Sequence, residues 1–349
     1  MKSLLIVTDA WRPQINGVVR TLERTIEDMH ARGVRVELIT PADYRTLPCP
    51  TYAEIRLSLT TPGALRRRML AYDCEHLHIA TEGPLGLMAV RVARRSGTVF
   101  TTSYHTRFPE YLSARVPVPL GWSYAWMRRF HNTGFGCMVA TRTLEDDLAA
   151  RGFRNLMRWS RGVDHERFRP FERTAGSGVL PDSLPRPVFM YVGRVAVEKN
   201  IGAFLDLDLP GSKVVVGDGP QRAELESAHP ETLFTGAKTG EALARHYADA
   251  DVTVFPSLTD TFGNVVLESL ACGTPVAAFP VMGPLDILEG TGAGVLDTDL
   301  EKAALAALKI RRTRCRDVAL EYTWARSTDQ FIENCHRAKD IAAQATQAA

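Results

Sequence analysis

The sequence predicts an α/β protein of two doubly wound halves, and three observations predict it. Short apolar runs alternate with helix-period segments along nearly the whole chain, the pattern of parallel strands joined by crossover helices. Residues 171–186 (FERTAGSGVLPDSLPR) are rich in Gly, Ser and Pro and poor in apolar side chains, so they read as a linker. The 349 residues are 45% hydrophobic, enough to bury two cores of ordinary size. The expected domains are residues 1–170 and 187–320, with a terminal helical segment over 321–349.

In the first half, Ser3 to Asp9 (SLLIVTD) is an apolar run closed by polar residues, as a buried parallel strand is. Gln14 to Val18 leads into a helical pattern. Gly17 would let the backbone approach a ligand at the carboxyl end of the strand, where open α/β sheets bind ligands. No G-x-G-x-x-G follows, so the dinucleotide fingerprint is absent. Val34 to Thr40 alternates as a second strand, and Pro41 to Pro62 reads as a connection with little periodicity. Leu65 to Leu70 carries Arg66, Arg67 and Arg68 in succession, either a solvated helix face or a patch for phosphate or lipid headgroups. Strands at His76 to Ala80 and Thr98 to Tyr104 flank a helix opened by Thr81-Glu82-Gly83-Pro84. His105 stands just past a strand end, facing the cleft of such a sheet.

Val116 to Thr133 (VPVPLGWSYAWMRRFHNT) repeats Trp122, Trp126 and Phe130 every four residues beside Arg128 and Arg129. This amphipathic helix is core if buried; at the surface it suits a membrane interface, rings at headgroup depth and arginines on anionic lipid. A loop of Val116, Val118 and Leu120 would extend that surface. A strand at Cys137 to Ala140, a helix opening at Thr143 with Asp146 three residues on, and RGVDHERFRP close this half.

A new strand begins at Pro187, with Arg194 just after it and Lys199 five residues on, two cations at the carboxyl end of a second sheet. Lys213 to Gly217 and Leu233 to Thr235 are further strands, followed by Asp218-Gly219-Pro220 and by Gly236-Ala237-Lys238. The most informative stretch is Pro256 to Pro275, PSLTDTFGNVVLESLACGTP. A buried strand ends at Pro256, and Gly263 with Val265, Val266 and Leu267 reads as a helix start. Asp260 thus sits at the mouth of a helix and Glu268 one turn inside, on the side of Asn264 and Val265. Such an end attracts anions through free amides and its dipole. Phosphate at the helix end and hydroxyls on carboxylates describe a nucleotide sugar; an acidic cap with a structural Glu is the plainer account. Strands at Val276 to Phe279 and Gly294 to Leu296, a Gly283-Pro284 turn, a helix near Thr298 and a last helix from about Tyr322 complete the chain.

Composition narrows the classes. Six scattered cysteines without C-x-x-C spacing argue against a zinc site or a disulfide scaffold. The opening apolar run is too short for a signal peptide, and no run reaches the roughly 20 residues of a membrane span. The expected location is cytoplasmic, peripheral at the inner face of a membrane. Net charge is +2, with the basic excess in residues 1–170 and the acidic excess after them. That asymmetry suits an anionic membrane or an acidic acceptor for the first half, and no nucleic-acid partner is expected.

Asp260 to Glu268 resembles the motif of retaining glycosyltransferases of family four, in which two glutamates flank seven residues. The first touches the donor sugar and the second the ribose. Here the first is Asp260, one methylene shorter. VFMYVGRVAVEKN resembles that family's diphosphate clamp, which assigns Arg194 and Lys199 to the leaving diphosphate. By the same resemblance His105 contacts the donor sugar, Gly236 to Lys238 lines the base, and Phe262, Gly263, Asn264 and Val265 complete the donor site. The resemblance spans essentially the whole chain and implies the GT-B fold, two Rossmann-like domains with a cleft between them and a terminal helix returning to the first.

It also implies metal-independent transfer of a sugar from a UDP- or GDP-sugar with retention. No enzyme nucleophile is evident, so a front-face mechanism is expected, with domain closure bringing His105 and Gly17 to the donor. TDAWRPQINGVVRTL, which includes Asp9 and Gln14, resembles the branch acting on lipids, including mannosyl- and diacylglycerol glycosyltransferases. The expected acceptor is a membrane lipid such as diacylglycerol, with Trp122, Trp126, Arg128 and Arg129 on the membrane side. A lipid-linked or soluble saccharide is the alternative acceptor; a nucleotide-sugar-binding protein without activity and a nucleotide-sugar epimerase are readings from other classes.

Overall fold

A computed structural model describes residues 1–14, 16–49, 52–113, 118–172 and 178–347. Val116 and part of the expected linker, 173–177, lie outside the described residues. The chain forms two compact units, Met1–Arg161 with Trp324–Ala349, and Gly162–Thr323.

The first unit runs β1 (Ser3–Val7), α1 (Gly17–Ala31), β2 (Arg35–Ile39), β3 (Arg45–Cys49), β4 (Tyr52–Leu59), α2 (Pro62–Ala71), β5 (His76–Ile79), α3 (Pro84–Ser96), β6 (Phe100–Tyr104), α4 (Phe108–Ser113), α5 (Leu120–His131), β7 (Gly136–Val139), α6 (Arg142–Ala150) and β8 (Leu156–Arg158). The second runs β9 (Val188–Val192), α7 (Gly202–Leu205), β10 (Ser212–Val216), α8 (Arg222–Ala228), β11 (Leu233–Phe234), α9 (Gly240–Asp249), β12 (Val252–Phe255), α10 (Asn264–Ala271), β13 (Val276–Ala278), α11 (Pro284–Leu288), β14 (Gly294–Leu296), α12 (Leu300–Ala307) and α13 (Arg312–Leu320). The last helix, α14 (Trp324–Gln347), belongs to the first unit.

Each unit is built on a six-stranded sheet whose ladders are all parallel, ordered β2-β1-β5-β6-β7-β8 and β11-β10-β9-β12-β13-β14. The apolar runs are continuous because both faces are covered. In the first unit Leu5 and Val7 pack with α2, α3 and Phe130 of α5, while Leu4 and Ile6 pack with α1, α14 and Trp159. Alternate residues of one strand thus enter different cores. In the second, Phe189, Val215, Val252 and Ala277 pack against α7 and α12.

The stretch Pro41 to Pro62 departs from expectation, because β3 and β4 pair there as an antiparallel hairpin outside the main sheet. The helix expected from Thr143 starts earlier, since Thr141 caps it by accepting from the Leu144 amide at 3.3 Å. Helix α13 was not evident in the sequence. Residues 178–186 are fastened to α9: the amides of Val179 and Leu180 donate to Asp249 at 3.1 and 3.0 Å, and Arg186 pairs with the same carboxylate at 2.8 Å. Among the described residues no helix is long and apolar enough to cross a membrane.

The first sheet buries two histidines. His76 Nε2 and His78 Nδ1 both meet Thr101 Oγ1, at 3.0 and 2.9 Å, and His78 Nε2 meets Ser103 Oγ at 2.9 Å. Burial drives the His76 imidazole down to about 3 and that of His78 well below its ordinary value. Both are therefore neutral in the fold and must take up protons when it opens. The contribution of these two histidines to stability is complete above the ordinary histidine pKa and falls as pH drops below it, by about 1.4 kcal/mol per pH unit for each. Urea denaturation at pH 7 and pH 5.5 should show this loss, and His76→Gln should reduce its slope by up to about 1.4 kcal/mol per pH unit.

Candidate functional site

In the second unit, loops at the carboxyl ends of β9, β10 and β12 converge. The loop after β9 lies against the one after β10: the Gly193 amide donates to Val216 O at 3.1 Å and that of Val195 to Asp218 O at 2.9 Å. The approach is close enough that a Cβ on Gly217 would lie 1.8 Å from Gly193 O, and one on Gly219 2.3 Å from Val195 O. Arg194 is carried, exposed, between those contacts. Lys199 follows at the end of a 3-10 turn, and Asn200 then takes the left-handed conformation (φ 52°) and donates from Nδ2 to Pro256 O at 3.1 Å. Thr259 donates to Glu198 O at 3.3 Å. These bonds tie the loop after β9 to the loop after β12.

Across that junction Lys199 Nζ meets Asp260 Oδ1 at 2.5 Å. The other oxygen of Asp260 and Oδ1 of Asn264 are shielded from solvent and take no hydrogen bond. Two acceptors beside an ammonium group are suited to a ligand that brings hydroxyl donors and negative charge together. Gly263 opens α10 with φ 88°, a conformation that favours glycine. Its neighbour Phe262 is buried and edge-on to Tyr322, so Phe262 serves as packing beneath the loop rather than as a presented side chain.

Glu268 lies inside, 5% exposed, and accepts from Tyr247 OH at 3.1 Å. Asp260 and Glu268 thus have different partners. Val265 is half-buried at the first turn of α10. Gly236 sits at φ 73° with Arg222 close by, and Lys238 is half-buried just before α9. Sequence reasoning missed Asn200, Thr259 and Tyr247; only Asn200, an Asn ending a polar turn, left a local signal.

In the first unit Asp9, expected on the acceptor side, turns inward. Its Oδ1 accepts from the Leu85 amide at 2.8 Å and its Oδ2 from the Gly86 amide at 3.1 Å and from Thr81 Oγ1 at 3.0 Å. A carboxylate at the N-terminus of α3 satisfies free amides and the helix dipole. Burial nevertheless raises its pKa. Gln14 is buried too, donating to Asp9 O at 3.4 Å. Gly17 is the first residue of α1, whose amides at Val18 and Val19 are capped by Asn16, each at 3.0 Å. His105 follows β6, half-buried, with Nδ1 3.2 Å from Arg161 Nη2.

Helix α5 divides its aromatic series. Ser123, Tyr124, Met127, Phe130 and His131 face inward, while Trp122 is 75% and Trp126 39% exposed. Four residues advance a helix by more than one turn, so a four-residue spacing drifts from one face to another. Helices α2, α3 and α5 all cover the same face of the sheet. Their outer side exposes Arg66, Arg67, Arg91, Arg94, Arg95, Arg128 and Arg129, and none of the three contains Asp or Glu. The basic excess of the first half is concentrated on this face.

Comparison with known proteins adds a lineage. Residues 15–167 match the family described as Glycosyltransferase Family 4, and residues 186–312 the one described as Glycosyl transferases group 1. The chain is 31% identical to a GDP-mannose-dependent alpha-mannosyltransferase of Mycobacterium tuberculosis, over 83% of this chain and 82% of that one. A protein of the same description from Mycolicibacterium smegmatis is 30% identical over 94% and 95%. A GDP-mannose-dependent alpha-(1-6)-phosphatidylinositol dimannoside mannosyltransferase of M. tuberculosis is 25% identical over 93% and 94%. Among solved structures, a sucrose-phosphate synthase from Thermosynechococcus elongatus matches with a TM-score of 0.73 and 19% identity, covering 100% of both chains. That likeness shows the GT-B fold.

The Tyr247 hydroxyl donates to Glu268 in its buried position. Tyr247→Phe should cost the second unit about 1–3 kcal/mol by leaving a buried acceptor short of a donor. Denaturant titration followed by fluorescence would measure it, and an unchanged midpoint would mean that Glu268 is held by other contacts.

Proposed function

The chain belongs to glycosyltransferase family 4, as a GT-B hexosyltransferase that uses nucleotide sugars, and from that premise we propose that it transfers a hexose with retention to a hydroxyl of a membrane lipid. The observation that carries the lipid reading is the outer face of α2, α3 and α5, seven exposed arginines with no carboxylate on the three helices, flanked by Trp122 and Trp126. Arginines attract anionic headgroups, and indole rings favour the interfacial layer. The relative named for a phosphatidylinositol dimannoside supports the same acceptor class. For the donor, GDP-mannose is the first choice because the similar mannosyltransferases are named for it; a UDP-sugar is the second.

In this reading Arg194 and Lys199 stabilise the departing diphosphate at the start of α10, preorganised positive charge that calls on no metal or cofactor. Asp260 aims Lys199 through their ion pair and offers its second oxygen to a sugar hydroxyl. Gly263, Asn264 and Val265 surround the phosphate, Glu268 the ribose, and Gly236 and Lys238 the base. His105 donates a hydrogen bond to a hydroxyl of the transferred sugar. The bond between the anomeric carbon and the phosphate oxygen breaks while the acceptor oxygen attacks on the same face. The acceptor proton passes to the departing phosphate, and nucleoside diphosphate leaves.

Nucleoside diphosphate release from a panel of GDP- and UDP-sugars, with and without diacylglycerol or phosphatidylinositol in anionic micelles, tests the reading. Lipid-dependent release is expected, reduced by at least ~100-fold in Lys199→Ala or Asp260→Ala. Release that answers only to soluble saccharides would overturn the lipid acceptor. Sedimentation with anionic vesicles at low salt should retain the protein, and reversing Arg91, Arg94 and Arg95 together to Glu should weaken retention by roughly 100-fold or more, at about 1 kcal/mol per charge.

A further inference from the structure

Arg161 is a buried guanidinium, 6% exposed, with no carboxylate among its partners in the described residues. Nη1 donates to Trp159 O at 2.6 Å and to Ser160 O at 3.2 Å, and its plane lies over the Trp159 ring, 4.6 Å from the centroid. Nη2 lies 3.2 Å from His105 Nδ1. Burying an arginine without a counter-charge is costly, so its retention at this place needs a cause. Burial draws it down to about 9, which still leaves it charged at neutral pH.

A guanidinium has donors only, so Nδ1 of His105 must be the acceptor. A neutral imidazole that accepts at Nδ1 carries its proton on Nε2. The ring is held edge-on against Trp159, with centroids 5.7 Å apart. We propose that Arg161 is a positioning residue that fixes His105 as a neutral Nε2–H donor, the form that can give a hydrogen bond to a sugar hydroxyl. This rests on the reading above that His105 contacts the transferred sugar.

The other titratable groups facing His105 agree with a neutral ring. Burial first, then the Arg161 charge, then His78 on β5 and His131 on α5 hold its pKa well below the ordinary histidine value. His131 is itself 3.1 Å from the Glu82 carboxylate. Arg161 is too buried to touch a ligand, so its effect on transfer passes through His105.

The test uses the full chain with ¹⁵N-labelled histidine; His105→Gln identifies the His105 signals among the nine histidines. His105 should show a proton on Nε2 and no titration between about pH 5 and 8. In Arg161→Met the preference for Nε2–H should be lost and the Nδ1–H tautomer should appear, while burial still holds the ring neutral; Arg161→Lys, which keeps a charged donor, should retain most of the native behaviour. With GDP-mannose, kcat of Arg161→Met should fall roughly 10- to 100-fold while the donor KM changes less than about threefold. A native ring protonated on Nδ1, or a folded Arg161→Met chain whose His105 keeps the Nε2–H tautomer as fully as the native chain, would overturn the proposal. If the ring behaves as stated but His105→Gln transfers sugar at the native rate, the coupling is supported and the sugar contact is what fails.

Discussion

Trp159 is the group on which the first unit closes. Fully buried just past β8, it meets His78 on β5, His105 after β6, Phe331 on α14 and the guanidinium of Arg161. That indole is a surface shared by the sheet edge, the returning helix and the loop bearing His105. Polar bonds complete the joint: Ser160 N donates to Gln330 at 2.8 Å, Ser327 to Ser160 O at 2.7 Å and Asn334 to Arg158 O at 2.7 Å. A helix 24 residues long at the end of the chain is therefore part of the first core.

The second unit organises its site by a different device. Its cations depend on how closely two loops can approach, and glycine backbones at positions 217 and 219 set that distance. Asn200 and Thr259 then fasten the third loop, so Lys199 and Asp260 meet although 61 positions separate them. The ion pair is a product of loop packing rather than of local sequence. Replacing one charge therefore alters the junction of two loops.

The alternation of strands and helices was legible because each buried strand is short, apolar and bounded by turn residues, as Ser3 to Val7 and Val252 to Phe255 show. The start of α10 was legible from Gly263, where a positive φ makes the residue type follow from the backbone. The hairpin β3–β4 was not, since Pro48 and Pro50 obscured the alternation of Ala53, Ile55, Leu57 and Leu59. Partners brought together by tertiary packing, such as Tyr247 for Glu268 or Arg161 for His105, leave no periodic trace. Asp9 shows the same limit, because a carboxylate before a loop reads alike whether it meets a ligand or the amides of a helix 76 positions on.

The acid-free face of the first unit also has an invariant potential. Guanidinium groups keep their charge across the pH range of living compartments. Helices α2, α3 and α5 carry no carboxylate and His131 is turned inward, so the outer side of these helices themselves holds no group that titrates against those arginines; Asp43, outside them, pairs with the half-buried Arg68. Acidification that neutralises carboxylates elsewhere on the surface leaves the charge of these seven arginines as it was. The field of these arginines is therefore tuned by ionic strength far more than by protons.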